Sequence, residues 1–374
     1  MKTFATYIWM DGTKPTALVR CKTKVVDLVS YTDDEIVEIG ITEEMIQAAR
    51  FYALTTADFP LWAFDGSSTG QADGGDSDRL LKPVKAVVDP TRNNSHLVLC
   101  EVFYPNREPH ESNTRSILRE TLKKIPLGTN PCMGFEQEYT MYSGGRPLGW
   151  PEDGEPDPQG PYYCATGKSV APGRNLAEAH ERACVEAEIS IGGTNAEVML
   201  GQWEYQMGGP DVSFLTACDD LILSRWILQR LGEDAGIDIS YDPKPVQGDW
   251  NGAGCHANFS TEQMRTPGGL NHIKAACEAL GDNIQACLDA YGDDFQSRLT
   301  GAHETCSYSE YKWGVGDRTA SVRIPTAVAL NGWGYFEDRR PNANCDPYKV
   351  GTIILHATLD VAQGEDRKVN VPAA

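Results

Sequence analysis

The order of apolar and polar residues predicts a β-rich segment up to about residue 105. Three stretches contain short apolar runs or alternate apolar with polar residues, as β-strands do: 17–27, 85–89 and 96–103. Residues 64–78 form a polar stretch of small residues between the first two of these runs. A loop this long and this polar is usually either functional or disordered.

Helical spacing is more common later in the chain. A first helix is predicted at 42–53, where Thr42 can serve as the N-cap. Beyond residue 110, apolar residues recur at three- and four-residue intervals in stretches that are mixed with strands. These predicted helices are 175–190, 211–231 and 271–291. Two stretches rich in proline and glycine, 144–160 and 242–254, predict surface loops.

Two glutamates, Glu136 and Glu138, lie in a predicted strand with apolar flanks. Residues i and i+2 of a strand point to the same face, so the two carboxylates repel each other unless a cation lies between them. A divalent metal is the usual cation, because hard cations bind carboxylate oxygens. The alternative is a solvated strand edge.

Two later stretches carry further metal-ligand chemistry. Gly201 permits a bend between Glu197 and Glu204, so both carboxylates could converge on one site; alternatively, each is a surface carboxylate. The glycine-rich turn that begins at Asn251 ends in His256, either a metal ligand or a core histidine beside a turn. This turn lacks the lysine and spacing of a phosphate-binding loop.

The last third of the chain carries several arginines in predicted loops, with Glu337 among them. The guanidinium group binds carboxylates and phosphates bidentately, although salt bridges are the alternative in so acidic a chain. The arginines are Arg298, Arg318, Arg323, Arg339 and Arg340. Taken with the carboxylates and the histidine, they predict a two-metal phosphoryl-transfer site that works by positioning and charge neutralisation.

Composition narrows the class of protein. A chain of 374 residues suggests two domains. The net charge of -20 argues against nucleic-acid binding but permits a nucleotide bound as its metal complex. The eleven cysteines are too far apart for a local Cys-x-x-Cys motif. With no signal peptide and no apolar stretch of membrane-spanning length, we expect reduced thiols, no membrane partner and a cytoplasmic location.

The motifs, in their order along the chain, resemble those of glutamine synthetases of the eukaryotic-type (class II) group. The resemblance covers almost the whole chain. Its main blocks are Tyr7-Ile-Trp-Met-Asp-Gly-Thr, Phe64-Asp-Gly-Ser-Ser-Thr, Glu136-Gln-Glu-Tyr-Thr, Gly201-Gln-Trp-Glu-Tyr-Gln, Asn251-Gly-Ala-Gly-Cys-His, Arg298-Leu-Thr-Gly, Ala320-Ser-Val-Arg-Ile-Pro and Tyr335-Phe-Glu-Asp-Arg-Arg-Pro.

The resemblance implies ATP-dependent amidation of L-glutamate by ammonia through γ-glutamyl phosphate, which yields L-glutamine, ADP and phosphate. It also implies an α+β fold. Residues 1–108 would form a β-grasp domain that contributes the ammonium-site loop. Residues 109–374 would form a catalytic domain with a curved antiparallel sheet flanked by helices, as in guanidino kinases. The family assembles as two stacked pentameric rings with active sites between subunits.

The resemblance also assigns roles residue by residue. The first metal would be held by Glu138, Glu197 and Glu204, and the second by Glu136, His256 and Glu337, with two or three Mg²⁺ or Mn²⁺ ions per site. Glutamate would be bound by Arg298, Arg339, Asn251 and Gly252, and the transferring phosphate by Arg318 and Arg323. Ser260 would lie near the nucleotide. Ammonium would be bound by Asp65, Ser68 and Tyr162, and Glu304 would be the flap residue that shields the intermediate and helps deprotonate the amine.

The chain departs from the family pattern in a few places. Cys132 stands where the family has a tryptophan near the adenine, which bears on nucleotide affinity rather than on the chemistry. Gly208-Gly209 includes one extra residue, and residues 28–60 are longer than usual.

Three other functions stay open at this stage. A γ-glutamyl ligase for another amine would remodel the ammonium pocket, whereas Asp65 together with Glu304 favours ammonia. A non-catalytic relative would typically lose metal ligands, and none is lost here. A phosphotransferase of the guanidino kinase type would have no reason to keep the Asp65 loop.

Overall fold

The computed structural model describes residues 2–27 and 54–359. These residues form two compact units. One contains the chain up to Ser116 together with Ala183–Ile189, and the other contains Ile117–Arg182 and the chain from Ser190 onward. The helix predicted at 42–53 lies outside the described residues, and the domain division after residue 108 stays a prediction.

The N-terminal unit is built on a five-stranded mixed sheet. Its strands are β1 (Lys2–Met10), β2 (Val19–Asp27), β3 (Trp62–Asp65), β4 (Asp78–Val88) and β5 (Ser95–Phe103). In the order β2-β1-β5-β4-β3, the central β1 and β5 run parallel and the other neighbours are antiparallel. This is the β-grasp arrangement, and it confirms the β-rich prediction, with the strand predicted at 85–89 forming the end of the longer β4.

The alternation of side-chain direction along β1 explains the core on one face of this sheet. Tyr7 and Trp9 point to one face, and both are buried. Tyr7 packs edge-on against Trp62, with ring centroids 5.3 Å apart, and Trp9 packs on Phe64, with centroids 4.9 Å apart. Burial of each such side chain contributes roughly 2–3 kcal/mol. Because Trp62 and Phe64 lie in β3, their packing fixes the strand that ends at Asp65.

The second unit is built on a larger sheet. Its strands are β6 (Cys132–Ser143), β7 (Arg146–Pro147), β8 (Ile191–Ala196), β9 (Gln202–Ser213), β10 (Asp238–Ser240), β11 (Cys255–Ser260), β12 (Trp313–Val315), β13 (Val322–Ile324) and β14 (Phe336–Asp338). The main order is β12-β13-β14-β11-β6-β9-β8, and both β7 and β10 pair with β6. All these pairs are antiparallel except β12 with β13.

Helices flank this sheet. They are α1 (Thr114–Leu122), α2 (Arg174–Glu186), α3 (Phe214–Ala235), α4 (Leu270–Asp282), α5 (Ile284–Ala290), α6 (Phe295–Arg298), α7 (Thr326–Asn331) and α8 (Pro347–Leu359). The long helix α3 packs against β6, β9 and α8 and is buried along most of its length. In the described part of the chain, no helix combines the length and the apolar character needed to cross a membrane.

The helix predictions were right in position but not in their ends. The predicted helix 211–231 begins only at Phe214, because β9 continues through Ser213. The predicted helix 271–291 is two helices, since Asn283 leaves helical geometry at φ -120° and ψ 30°. The helix predicted at 175–190 ends at Glu186. Apolar periodicity continues across such breaks, so it cannot locate them.

Candidate active site

Three adjacent strands bring the acidic residues and the histidine together. Glu136 and Glu138 lie in β6, as predicted, and both contact His256, which lies opposite Glu136 in β11. Across the other side of β6, Glu204 in β9 lies opposite Glu138. Because the side chains of a strand alternate, this register collects four polar side chains on one face of the sheet. The histidine therefore lies in a strand rather than in the predicted turn.

The tightest group of possible metal ligands consists of Glu136, His256 and Glu337. His256 Nδ1 is 3.2 Å from Glu136 Oε2 and 3.2 Å from Glu337 Oε1. One ligand atom from each of the three residues lies within 4.8 Å of the other two, a geometry that could hold a metal ion. Two carboxylates and an imidazole suit a divalent cation. The structure thus brings together the predicted ligands of the second metal.

The charges in this group influence one another strongly. Burial and Arg339 lower the pKa of His256, but hydrogen bonds to Glu136 and Glu337 outweigh them and raise it to about 9. Burial raises the pKa of Glu337, yet His256 and the nearby arginines hold it well below its usual value. A proton on His256 therefore supplies positive charge where a metal ion would otherwise do so.

Glu197 and Glu204 are held beside Glu138 by neighbouring amides. Asn195 Nδ2 donates to Glu197 Oε1 at 3.3 Å, and Gln206 Nε2 donates to Glu204 Oε1 at 2.5 Å. Burial raises the pKa of Glu197 well above its usual value, and the charge of Glu138 raises it further. Burial likewise raises the pKa of Glu204. Buried carboxylates that raise one another's pKa are stabilised in their charged form when a divalent cation binds between them.

The bend between these glutamates depends on glycine, as the sequence suggested. Gly201 has φ +88°, a left-handed conformation that glycine adopts without strain. It follows Leu200, and the chain then enters β9, in which Glu204 lies. A Cβ at Gly201 would lie 2.7 Å from the carbonyl oxygen of Leu148, so a larger residue does not fit.

Arg339 and Arg323 converge on Glu337. Arg339 Nη1 donates to Glu337 Oε1 at 2.7 Å, and Arg323 Nε donates to Glu337 Oε2. Arg339 Nη2 also donates to the carbonyl oxygen of Glu304 at 3.3 Å. The buried Nε of Arg339 has no hydrogen-bond acceptor among the described residues. A buried guanidinium donor without an acceptor is expected where an anionic ligand binds.

Arg298 is buried behind the histidine. Its Nη2 lies 3.2 Å from His256 Nε2 and donates to the carbonyl oxygen of Arg339 at 3.0 Å. Its Nη1 donates to the carbonyl oxygen of Arg340 at 3.1 Å. Burial lowers the pKa of Arg298 to about 10. In this structure Arg298 therefore braces the segment that carries Arg339.

The arginines do not all lie in loops, as the sequence had suggested. Arg298 ends α6, and Arg323 lies in the three-residue strand β13. Such short elements carry too few residues to show a periodic pattern. Arg318 is exposed in a loop, close enough to Tyr163 to lower its pKa, although burial has the larger effect and raises it.

The glycines before His256 allow a close approach. Gly254 N–H donates to Glu138 Oε2 at 2.7 Å, and a Cβ at Gly254 would lie 2.8 Å from His256 Nε2. A Cβ at Gly252 would lie 2.5 Å from the carbonyl oxygen of Pro243. The backbone N–H of Asn251 donates to Gln159 Oε1 at 2.6 Å. This turn thus places backbone directly against the predicted ligands.

The predicted flap residue, Glu304, lies in the loop after α6. Its side chain is about half exposed, and its carboxylate is 3.9 Å from Arg339 Nη2. Its backbone has φ +58°, and that of the preceding His303 has φ +53°. Two consecutive left-handed residues that are not glycine mark a strained loop.

Asp65 and Ser68 lie together in the N-terminal unit. Ser67 and Ser68 donate their hydroxyls to the two carboxylate oxygens of Asp65 at 2.6 and 2.8 Å. These bonds lower the pKa of the exposed Asp65, the bond from Ser67 most. Tyr162 belongs to the other unit, where its hydroxyl donates to the carbonyl oxygen of Asp157 at 3.1 Å.

The two residues that the sequence assigned to the neighbourhood of the nucleotide lie side by side. Ser260, at the end of β11, is paired in register with Cys132, at the start of β6. Ser260 accepts a hydrogen bond from Arg265 Nη1 at 2.9 Å. The double glycine Gly208-Gly209 lies close by, where the register of β9 against β6 shifts between Cys132 and Gly134. The double glycine thus lies at a bulge in the pairing of these two strands.

Sequence reasoning missed one residue that faces this site. Asn258 Nδ2 donates to Glu136 Oε1 at 3.0 Å, and its buried Oδ1 has no partner among the described residues. The available signal was its position two residues after His256 in a strand, which places both side chains on one face.

Two family models match the chain. The glutamine synthetase β-grasp domain matches residues 1–105, and the glutamine synthetase catalytic domain matches residues 111–270. Among the curated relatives, chloroplastic glutamine synthetase of Chlamydomonas reinhardtii is 51% identical over 82% of this chain and 81% of its own length. Glutamine synthetase of Xenopus laevis is 46% identical over 98% of this chain and 88% of its own length. The Homo sapiens enzyme is 43% identical over 98% and 92%.

Solved structures agree on the fold. A structure described as apo GmaS without ligand covers 95% of this chain and 77% of its own, with a TM-score of 0.70. Its sequence identity is 18%, so this likeness concerns the fold alone.

Proposed function

Since the chain belongs to the glutamine synthetase family and is a glutamate–ammonia ligase, we propose that the residues described above carry out ATP-dependent amidation of L-glutamate. The observation that carries the proposal is the group formed by Glu136, His256 and Glu337 beside Arg339, whose buried Nε lacks an acceptor. A cation site next to an unsatisfied guanidinium suits a reaction between two anionic substrates.

The carboxylates fit divalent metals, magnesium or manganese, at two or three positions. Glu138, Glu197 and Glu204 are the proposed ligands on the glutamate side. Glu136, His256 and Glu337 are the proposed ligands on the nucleotide side. Bound there, the ions would neutralise negative charge on the phosphate oxygens of ATP.

Glutamate is proposed to bind through Arg339, Arg298 and the turn at Asn251-Gly252. The guanidinium of Arg339 holds a carboxylate in a fixed orientation, because its N–H groups form a rigid fork. A Cβ at Gly252 would lie 2.7 Å from Arg298 Cγ, so this turn lies beside the second of the two arginines. The γ-carboxylate then faces the phosphate that is to be transferred.

Arg318 and Arg323 are proposed to stabilise the transferring phosphate, and Ser260 to lie near the nucleotide. Cys132, across the strand pair from Ser260, offers no aromatic face for the adenine ring. We therefore expect weaker nucleotide stacking than a tryptophan would give.

Ammonium is proposed to be bound by Asp65 and Ser68 of one subunit together with Tyr162 of another. The lowered pKa of Asp65 keeps it anionic, which suits it to attract a cation. Its carboxylate is also proposed as the acceptor of the ammonium proton, a role that the lowered pKa does not favour. Glu304 is proposed as the flap residue that excludes water from the acyl phosphate. Asp65 would work on a neighbouring subunit of a ring, with residues 1–108 as its domain. A pair of stacked pentameric rings and a cytoplasmic location stay predictions.

The test is phosphate release from ATP with Mg²⁺ and L-glutamate, measured with and without ammonium. Release that depends on ammonium and yields an equal amount of glutamine supports the proposal. The same assay with a panel of primary amines follows. Release only with another amine would reassign the protein to the γ-glutamyl-amine ligases and remove Asp65 from the role given to it here.

A further inference from the structure

Three side chains outside the proposed ligand sets join three loops next to Glu304. They are Gln159, Asp249 and His303, and we refer to them as the loop latch. We propose that the loop latch positions Glu304 over the reacting centre while the acyl phosphate exists. This inference rests on the flap role proposed for Glu304.

The hydrogen bonds of the loop latch form one directed chain. Gln159 Oε1 accepts from the backbone N–H of Asn251 at 2.6 Å, which fixes the orientation of the amide. Its Nε2 therefore faces His303 Nδ1, at 2.7 Å, and donates to it. Because Nδ1 accepts, the ring proton is on Nε2, which lies 2.9 Å from Asp249 Oδ1 and donates to it. Each donor in this chain meets an acceptor.

The loop latch acts on a strained backbone. His303 and Glu304 both have left-handed φ angles, +53° and +58°. For residues other than glycine, such conformations are strained and persist only where surrounding contacts enforce them. The side chain of His303 is one of these contacts, and it is held from two sides by Gln159 and Asp249. Without the loop latch, we expect this turn to relax.

The two ends of the loop latch lie at proposed substrate positions. One end is the backbone of Asn251, which is proposed to line the glutamate. The other end is Glu304, whose carbonyl oxygen accepts from Arg339 Nη2 at 3.3 Å. The loop latch therefore connects the glutamate-lining turn to the flap residue without being part of either. Gln159, Asp249 and His303 are thus positioning residues rather than catalytic ones.

The contribution of the loop latch to overall stability should be small. The side chain of Asp249 is fully exposed, and ion pairs of exposed side chains contribute little to the free energy of unfolding. Its loss should instead let water reach the acyl phosphate. The water oxygen then bonds to the γ-carbon and the bond from that carbon to the phosphate oxygen breaks. This returns glutamate and inorganic phosphate, with a proton released to solvent, and ATP is spent without glutamine.

The experiment measures phosphate and glutamine in the same reaction, with saturating ammonium, on the full-length protein. We expect Asp249→Ala and His303→Asn to raise the ratio of phosphate to glutamine about threefold to tenfold. Asparagine at 303 tolerates the left-handed backbone, so the second variant removes the contact without adding strain. Asp249→Asn keeps an acceptor for His303 and should restore most of the coupling.

The control is Asp153→Ala, an exposed aspartate in the same loop as Gln159, which should keep the ratio of wild type. The double variant Asp249→Ala/His303→Asn should be no worse than the more affected single variant, because both remove one contact. If the wild type makes glutamine and the variants keep its ratio of phosphate to glutamine, the loop latch is overturned and the proposed function stands. A wild type that makes no glutamine with ammonium would instead overturn the proposed function.

Discussion

His256 is the residue whose protonation should report metal binding. Its pKa is raised from 6.5 to about 9 in the folded, metal-free protein. A raised pKa gives stability that is fully present below pH 6.5 and is lost as the pH rises through about 9. Glu197, whose pKa is also raised, acts with the same sign. Protons and a divalent ion compete for the same positions.

We therefore expect the metal-free protein to lose thermal stability between pH 6.5 and about 9, and added Mn²⁺ or Mg²⁺ to stabilise it more toward the upper end. The measurement is the melting temperature with chelator and with metal across this range. His256→Gln should make the melting temperature depend less on pH, both with chelator and with metal. A metal-induced shift that is the same at both ends of the range would contradict the assignment.

Gly254 is the position where a single methyl group should be most harmful. A Cβ there would lie 2.8 Å from His256 Nε2, closer than real Cβ contacts come, and would also meet Arg298. Gly254→Ala should lower kcat about 100-fold, because displacements on the order of 1 Å at a reacting centre have effects of this size. Gly192→Ala, in the outer strand β8 of the same sheet, meets only ordinary contacts and is the matched control. Equal activity of the two variants would show that the turn adjusts freely.

Arg339 is proposed to hold glutamate rather than ATP. Arg339→Ala should raise the KM for glutamate about tenfold to 100-fold, far more than the KM for ATP, since a charged hydrogen-bonding partner of glutamate is removed. Arg339→Lys keeps the charge but loses the planar fork, so its effect should be intermediate. Steady-state kinetics with each substrate varied in turn makes the test. Equal increases in both KM values would contradict the role.

At the scale of the element, β6 is anchored from behind by a buried arginine. Gln137 lies between Glu136 and Glu138 and points to the opposite face. Its Oε1 accepts from Arg225 Nε at 2.8 Å and from Nη2 at 2.6 Å. Arg225 Nη1 donates to the carbonyl oxygen of Cys345 at 2.8 Å. This helix residue thus fixes the strand that carries two proposed metal ligands.

Removal of Arg225 should destabilise the protein. Arg225→Met leaves Gln137 Oε1 and buried carbonyl oxygens without donors, at about 1–3 kcal/mol for each group, so we expect a loss of about 3 kcal/mol. Urea unfolding measures it, and Arg182→Met, at an exposed position in α2, should be close to neutral. If the two variants unfold at the same urea concentration, the anchor contributes nothing.

The comparison of sequence and structure is clearest at this scale. Glu136 and Glu138 could be assigned to one strand face because alternation is a local property. Asn258 was missed because His256 was assigned to a turn, so that the strand face which the two residues share was not considered. Arg225 could not be found, since its partners are distant in sequence and no periodic pattern records a contact behind a strand. His256 was placed in a turn because its strand is short and follows a run of glycines. Local pattern predicts elements, whereas pairing between them decides which side chains meet.

At the scale of the whole molecule, the proposal requires residues from two subunits in each active site. Asp65 lies in the N-terminal unit and Arg339 in the other. If each site combines Asp65 of one subunit with Arg339 of its neighbour, two inactive variants can complement each other. Asp65→Ala supplies intact catalytic units, and Arg339→Ala supplies intact N-terminal units.

At a glutamate concentration well below the wild-type KM, we expect each variant alone to have little activity. An equal mixture, dissociated and reassembled, should recover about one quarter of the wild-type activity. The fraction follows because a random ring pairs two intact halves at about one interface in four. Mixing without dissociation is the control and should recover nothing. Two copies of the same variant cannot form an intact site by any pairing, so recovery requires sites shared between subunits. A reassembled mixture that forms rings but stays inactive would place Asp65 and Arg339 of a single chain in the same site.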